Sequence, residues 1–446
     1  MTEKFAIKES FTKRYKNTAE SGIIGLILPS LMTPNKKKQI FLILILGLLS
    51  AIGPFSIDMY LPAFPQIAAG LGTTVARVTL SLSSFFIGIS VGQFLYGPLL
   101  DRYGRKKPLY AGISLYLIAS GCCALVHSVE ALIVLRLFQA LGACVGLVAS
   151  RAMVRDLFPV NQNARVFSLL MLVVGVSPII APTLGGYMTD YFNWRYIFYV
   201  LTAIAALILV AVHFTLPESR KPDLQVSLKP GPIVQRFLGV MREPQFYTYA
   251  LTGAIASAGL YAYIAGSPAV FMELYKVSGQ QYGWIFTLAA MGLIGSSQLN
   301  SVLLRTFKSE QIIRVALLCH VTTSILLVVG SLLGILGLFS TIALIFLYLC
   351  CQGCIFPNSS ALSLAPFSRN AGTASALMGG IQMGIGAGTS ATVSWLNNHT
   401  ALPMVGVMAA CSIVSFTILL TGGRVIRRRA REAEVEGETV EMIATS

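Results

Sequence analysis

The sequence predicts an all-α polytopic membrane protein with twelve transmembrane helices arranged in two six-helix halves. The first observation is compositional: of 446 residues, 55% are hydrophobic and only 11% are charged, with a mean hydropathy of +0.73. Soluble domains use roughly a quarter of their residues as charged groups. This composition leaves too little polar surface for a compact body in water, which excludes a water-soluble enzyme. The other two observations are the spacing of the apolar runs and the placement of the basic residues.

Apolar runs of transmembrane length occur twelve times along the chain. A membrane-spanning helix needs about 20 apolar residues. One run, from Val315 to Phe356, is too long for a single helix, so we divide it near Gly334, Gly337 and Ser340. The predicted spans are 39–60, 77–100, 108–127, 130–152, 166–188 and 196–216, followed by 246–270, 282–304, 312–332, 339–358, 372–395 and 402–423.

The basic residues predict the orientation of these spans. Loops on the cytoplasmic side carry an excess of Lys and Arg. With the N-terminus inside, only Arg77, Arg195 and Lys276 of the 33 basic residues fall outside, and Arg136 falls within a span. The sequence therefore predicts a multi-pass protein of the cell inner membrane with both termini in the cytoplasm. The net charge of +15 then reflects insertion into the membrane, and we expect no nucleic-acid partner.

A polar segment separates the spans into two sets of six. Such a division is typical of transporters built from repeated halves.

The N-terminal stretch is basic, and translation from Met1 or from Met32 is compatible with it. The acidic end of the tail predicts disorder. The predicted units are a basic extension (1–38), a first half (39–216), a cytoplasmic loop (217–245), a second half (246–423) and a cytoplasmic tail (424–446).

Two charged residues lie well inside predicted spans. Asp58 is about 28 Å and Arg136 about 22 Å from the inner end of its span, at ~1.5 Å per residue. Because a charge costs roughly 2.5–3.5 kcal/mol in such a position, these residues usually mark a transport path. We expect them to pair, or to alternate as partners for a substrate, with Asp58 taking up and releasing a proton. The alternatives are a static packing pair, or an Asp58 that is solvated near the outer interface.

The loop after the second span contains a recognisable cluster of glycine and charged residues. It reads GPLLDRYGRKKP (97–108) and resembles the loop signature of the major facilitator superfamily. The resemblance implies alternating access around a mid-membrane site between the halves, with this loop gating the inner side. The matching residues are Gly97, Asp101, Arg102, Gly104, Arg105 and Lys106.

Two further segments are similar to motifs of the same superfamily. FSIDMYLPAFP (55–65) resembles the first-span motif of the bicyclomycin-resistance (Bcr/CflA) group of drug exporters, with Asp58 at the position of the group's membrane carboxylate. LIVLRLFQALGAC (132–144) is similar to the fourth-span motif that is associated with proton transfer, and contains Arg136 and Gln139. The resemblance implies that Asp58 carries the proton and that Arg136 modulates it.

The fifth span resembles the motif associated with antiporters. The segment SPIIAPTLGG (177–186) has Pro182, Gly185 and Gly186 in place, with Ser177 and Ala181 where glycine is usual. Small residues at these positions still permit close helix crossing. The resemblance implies export in exchange for protons.

Candidate residues for a substrate cavity are aromatic or polar side chains within the spans. A drug site is mostly apolar with a few polar groups. Packing against lipid or core is the alternative for the aromatic residues, and interhelical hydrogen bonding is the alternative for the amides. The candidates are Tyr60, Gln139, Tyr261, Tyr263, Asn358 and Gln382.

Nothing in the sequence predicts a metal, a cofactor or ATP-driven pumping. Cys351 and Cys354 have CxxC spacing but lie in an apolar span without a second pair. The four histidines are scattered, and no phosphate-binding loop is present. We therefore expect no enzyme activity, no cofactor, and a monomer whose partners are protons, a small molecule and the lipid bilayer.

By resemblance, the expected function is proton-coupled export of small amphipathic compounds. An uptake symporter of the same fold is the nearest alternative. A polytopic membrane enzyme is a more distant one, because it would need several acidic or His side chains converging at one membrane face. A membrane receptor would need a larger extramembrane domain than this sequence contains.

Overall fold

The computed structural model describes residues 34–225, 228, 230–367 and 371–445. The predicted extension 1–38, and with it the choice between Met1 and Met32, lies almost entirely outside the described residues. In the described ranges the chain is helical nearly throughout. The helices are α1 (Pro34–Asp58), α2 (Phe64–Gly70), α3 (Val75–Tyr103), α4 (Lys106–Ala124), α5 (Val129–Leu157), α6 (Val160–Tyr191), α7 (Arg195–Thr215), α8 (Pro230–Met241), α9 (Pro244–Pro268), α10 (Gly279–Leu303), α11 (Ser309–Leu332), α12 (Leu338–Leu364), α13 (Ala371–Trp395) and α14 (Leu402–Thr445).

Each predicted span coincides with one long helix, so the all-α polytopic prediction is confirmed. Ten of these helices, in the part of the chain that the structure describes, are long and apolar enough to cross a membrane. Of the other two, α4 begins with two lysines and α13 is rich in Gly, Ser and Thr. These residues lower the hydropathy of both helices. The predicted division of the run 315–356 is also confirmed, since α11 ends at Leu332 and Gly334 takes a left-handed conformation at φ +66°.

Local sequence signals explain where several helices begin. The side chains of Thr74 and Ser128 accept the backbone N–H groups of Arg77 and Ala131, which caps α3 and α5. Ser278 and Gln281 form a reciprocal capping box at the start of α10. These short polar caps therefore fix the ends of helices whose interiors are almost entirely apolar.

We refer to α1–α7 as the first half and to α9–α14 as the second half; the two sets pack against each other along two pairs of helices. In one pair, α3 packs along α13, where Ser83 Oγ donates to Ser390 Oγ at 2.9 Å. In the other, α6 packs along α10, where the hydroxyls of Thr183 and Thr287 are 3.1 Å apart. Small polar residues at both contacts allow the two halves to approach closely.

Two segments differ from the sequence prediction. Within the loop 217–245, residues Pro230–Met241 form the amphipathic helix α8, and its Phe237 ring lies 5.2 Å from Phe94 of α3. The tail, predicted as disordered, continues α14 as a helix to Thr445. Arg428 and Glu432 pair across one turn at 2.7 Å there, which stabilises a solvated helix that propensity alone would leave marginal.

Candidate functional site

Asp58 is the last residue of α1 and is 5% exposed. The helix stops here because Pro62 and Pro65 lack the N–H groups that would continue its hydrogen bonds. A short 3₁₀ turn, Leu61–Ala63, then leads into α2. The carboxylate therefore lies at a break between two helical segments, buried in the protein.

Arg136 of α5 is completely buried and is held by neutral partners. Its guanidinium donates to Gln139 Oε1 at 2.6 Å and to the backbone carbonyl of Ser56 at 3.3 Å. The same group lies 4.4 Å from the ring centroid of Tyr60 and 4.2 Å from that of Phe85. Cation–π contacts of this kind gain strength when water is excluded.

The hydrogen bonds around Arg136 continue through the first half as one network. Gln139 Nε2 donates to Ser120 Oγ at 2.7 Å. The hydroxyls of Ser56 and Tyr116 are 2.6 Å apart, so α1, α4 and α5 are joined. Because every link is made within the first half, the position of Arg136 is fixed by that half alone.

Asp58 and Arg136 do not form the expected pair: among the described residues, no ion pair or hydrogen bond joins them. The physical reason is helical rotation. Ser56 of α1 lies on the side of the arginine, since its carbonyl accepts from Arg136 and its hydroxyl is 2.6 Å from that of Tyr116. The side chain two positions further along an α-helix lies about 200° around the helix axis, so Asp58 is rotated away from this side even though it lies at a similar depth.

Asp58 lies near aromatic residues of the second half. The turn Leu61–Ala63 that follows it contacts both α9 and α10, and Tyr263 of α9 and Tyr282 of α10 are within electrostatic range of its carboxylate. The Tyr282 hydroxyl is 2.7 Å from Ser267 Oγ, whereas the buried Tyr263 hydroxyl has no hydrogen-bond partner in the described part of the chain. This part of the interface thus brings the Asp58 carboxylate near two phenols.

The glycines of the antiporter-like motif provide close contacts beside Asp58. A side-chain carbon at Gly185 would overlap the backbone carbonyl of Met59, and one at Gly186 would overlap that of Gly279 at the start of α10. The carbonyl of Pro182 lies against Gly283 in the same way. The motif therefore packs α6 directly against the end of α1 and against the second half.

The loop motif forms a charged network at the junction of α3 and α4. Arg105 is 4% exposed; its Nε is 2.8 Å from Asp156 Oδ2, and its Nη1 is 3.0 Å from Asp101 Oδ1. Burial lowers the pKa of Arg105, but the hydrogen bonds and charges of Asp156 and Asp101 outweigh burial and raise it above its ordinary value. Arg220 adds a second contact to Asp101 at 3.1 Å.

The remaining residues of this motif shape the turn. Gly104 adopts φ +81°, a left-handed conformation that favours glycine. Glu218 accepts the backbone N–H groups of Arg105 and Lys106 at 2.7 and 3.1 Å, which caps the start of α4. The Arg102 guanidinium lies 5.8 Å from the ring centroid of Tyr103, and Gly97 lies in α3 with open space around it.

Sequence reasoning missed Asp156 and Glu218, which complete the network. Both lie at predicted inner helix ends, Asp156 near the end of α5 and Glu218 just after α7. The sequence did contain a signal for them: each is an acidic residue at the cytoplasmic end of a helix, where most charged residues are basic. An acidic residue in such a place is expected to pair with a cation.

The candidate cavity residues occupy different surroundings. Tyr60 bonds Ser81 at 2.8 Å and belongs, with Gln139, to the interior of the first half. Asn358 donates to Asn300 at 2.7 Å within the second half. Tyr261 lies at the contact between halves, 4.7 Å from Phe86. Gln382 is half-buried on α13, and its role, like that of the others, stays a prediction.

Comparison with known proteins decides the family. The sequence profile of the Major Facilitator Superfamily matches residues 46–391. The chain belongs to the major facilitator superfamily. It is therefore a multi-pass membrane transporter of a small molecule and not an enzyme.

Curated superfamily members are similar over most of the chain. An uncharacterized MFS-type transporter YdgK of Bacillus subtilis is 32% identical over 387 residues, covering 86% of this chain and 96% of that protein. A bicyclomycin resistance protein homolog of Haemophilus influenzae is 31% identical over 382 residues, covering 85% and 96%. Multidrug resistance protein D of Escherichia coli is 26% identical over 377 residues, covering 84% and 93%.

Solved superfamily structures share the fold at low sequence identity. A D-xylose-proton symporter superimposes with a TM-score of 0.69 at 12% identity, covering 85% of this chain and 97% of that one. The nucleoside transporter NupG superimposes with a TM-score of 0.65 at 13% identity, covering 86% and 99%. At these identities the likeness establishes the major facilitator fold and says nothing about substrate.

Proposed function

We propose that this transporter exports small amphipathic drugs or metabolites in exchange for protons by alternating access. The observation that carries the proposal is the position of Asp58. It is a buried carboxylate at the end of α1, next to the turn Leu61–Ala63 that contacts α9 and α10 of the second half. A group in this place changes its surroundings whenever the two halves move relative to each other.

Proton coupling follows from the cost of a buried charge. An ionised carboxylate inside a membrane protein is expensive unless it is paired, and a proton or a positively polarised substrate group can offset that cost. In the proposed cycle, Asp58 releases its proton on the cytoplasmic side and takes one up on the other side. Arg136, held rigidly behind α1, keeps a positive charge near the site throughout.

The direction of transport is supported by the relatives and by the glycines of α6. The names of two relatives report bicyclomycin resistance and multidrug resistance, which suits export of toxic compounds. Gly185 and Gly186 bring α6 against both Met59 and Gly279, as expected for the segment that resembles the antiporter motif. Together they favour exchange over uptake symport.

The charged network around Arg105 is the proposed gate on the cytoplasmic side. It ties the turn between α3 and α4 to the ends of α5 and α7 through Asp156 and Glu218. We therefore expect the first half to move as one body at this face when the two halves rock. We also propose that the transporter lies in the inner membrane with both termini in the cytoplasm. A reporter that is active only in the cytoplasm, fused after Ser446, tests this orientation.

The decisive experiment is the substitution Asp58→Asn. Asparagine keeps the size of the side chain but cannot release a proton. We expect it to abolish proton-driven transport in everted membrane vesicles while leaving the protein inserted. The measurement is dissipation of a respiration-generated pH gradient on addition of chloramphenicol, bicyclomycin or a sulfonamide, followed with a pH-sensitive dye.

The matched control is Glu130→Gln, which neutralises an exposed carboxylate that pairs with Arg77. This variant should transport normally. Unchanged exchange in Asp58→Asn would refute the role of Asp58, and substrate accumulation inside intact cells driven by the proton gradient would indicate uptake symport instead.

A further inference from the structure

Asp58 meets no hydrogen-bond donor of its own half in the described part of the chain. The groups packed behind α1 are already engaged, since Arg136 and Tyr116 both bond Ser56, and α6 presents Gly185 next to Met59. On the sides of α3 and α7, the neighbouring contacts are made by Tyr60, with Ser81 and with the ring of Phe198. A donor for the ionised carboxylate therefore has to come from the second half.

Two hydroxyl groups of the second half lie near Asp58, because α9 and α10, which carry them, both contact the turn Leu61–Ala63 that follows it. The Tyr282 hydroxyl already bonds Ser267 Oγ at 2.7 Å. The Tyr263 side chain is 1% exposed, and its hydroxyl has no hydrogen-bond partner among the described residues. A buried hydroxyl without a hydrogen-bond partner costs free energy. We therefore expect a partner to reach the Tyr263 hydroxyl in another conformation of the transporter.

The ring of Tyr263 is held in place by its neighbours. It stacks on Phe286 of α10, with ring centroids 5.8 Å apart and an interplanar angle of 20°. Phe286 in turn lies 6.1 Å from Tyr282. The aromatic cluster fixes the direction of the hydroxyl relative to α9 and α10, so its distance from Asp58 changes mainly when the halves move.

We propose that Tyr263 is the positioning residue through which the second half responds to the protonation state of Asp58. Its hydroxyl donates a hydrogen bond to the ionised carboxylate and so ties α9 to the end of α1. A protonated carboxyl is a weaker acceptor, and the tie loosens when the proton binds. The inference rests on the proposed function, because it assumes that Asp58 is the proton-carrying group.

The proposed hydrogen bond predicts in which direction the protonation of Asp58 changes when the bond is removed. A donor that binds the ionised form favours ionisation, so its removal makes Asp58 hold its proton to higher pH. A charge-assisted hydrogen bond of ordinary strength corresponds to a shift of roughly one pH unit.

The test measures protonation directly and needs no substrate. Dicyclohexylcarbodiimide modifies protonated buried carboxyls, so labelling of the purified full-length protein falls as Asp58 ionises. Mass spectrometry of the peptide that contains Asp58 gives the pH at half-maximal labelling. We expect Tyr263→Phe to raise this midpoint by about one pH unit.

The chain supplies a closely matched control in Tyr261→Phe. Tyr261 is on the same helix and is also buried, but it packs against Phe86 and Gly386. Its loss should leave the midpoint unchanged. If Tyr263→Phe is not monodisperse on gel filtration, Tyr263→Leu replaces it, with the same expected direction.

The outcomes separate this inference from the proposed function. Equal midpoints in Tyr263→Phe and Tyr261→Phe overturn the role of Tyr263, whatever the transport assay gives. Intact proton-driven transport in Asp58→Asn overturns the proposed function instead. A raised midpoint in Tyr263→Phe alone, together with loss of transport in Asp58→Asn, supports both.

Discussion

Removal of Arg105 tests whether the charged network holds the cytoplasmic end of the first half together. The bond to Asp156 is largely buried, with side chains 5% and 19% exposed, and contributes about 2 kcal/mol. The bond to Asp101 contributes at most about 0.5 kcal/mol, because that carboxylate is 42% exposed and solvent screens it. Ser219 and Arg220 keep partial contacts to the two acids, so we expect Arg105→Ala to cost about 2 kcal/mol in total.

The assay is thermal unfolding in detergent, followed with a dye that fluoresces when it reacts with thiols. Cys123 and Cys144 are buried in the folded protein and become reactive when it unfolds. A loss of ~2 kcal/mol should lower the midpoint by roughly 2–4 °C in a chain of this size. Lys107→Ala removes the same charge from an exposed side chain of the same loop and should change little. Equal midpoints in the two variants would refute the stabilising role of the network.

Two glycine substitutions test the turn between α3 and α4 and the contact between α3 and α13. Gly104→Ala forces a left-handed φ of +81° on alanine and should cost about 1–2 kcal/mol in the same unfolding assay, whereas Gly97→Ala, with open space around it, should not destabilise. Gly380→Ala places a methyl group against the ring of Phe94 and should slow exchange in vesicles at normal expression, while Gly388→Ala on the same helix should not. An unchanged rate in the first of these would argue that the contact between α3 and α13 is not part of the moving interface.

The helical framework was predictable because hydropathy and charge report on it directly. Each span has its own apolar run, and even the split between Leu332 and Leu338 was marked by glycines. The two buried charges of the candidate site, Asp58 and Arg136, were also predictable, because charge inside a span is costly. Hydropathy and charge can each be read from a single segment of the chain without knowing its neighbours in the fold.

The missing part of the prediction concerns how segments face one another. Depth along the helices placed Asp58 and Arg136 at similar levels, but depth carries no information about rotation, and Arg136 contacts α1 at Ser56, two positions before Asp58. The helix α8 was missed for a similar reason. Its short amphipathic pattern gains stability from packing Phe237 against Phe94, which is 143 positions away in the chain.

The separation of the two buried charges has a mechanistic consequence. Among the described residues, the hydrogen-bond partners of Arg136 all belong to the first half, and we expect them to stay with it when the halves move. Asp58 lies next to the turn that contacts α9 and α10, which carry Tyr263 and Tyr282, and we expect these phenols to move away when the interface opens. The cation would then provide a nearly constant field, whereas the hydrogen bonds available to the carboxylate would change with conformation. Under the proposed function, the proton carrier lies at the moving interface and its electrostatic modulator lies behind it in the same half, so a rocking motion changes the proton affinity of Asp58.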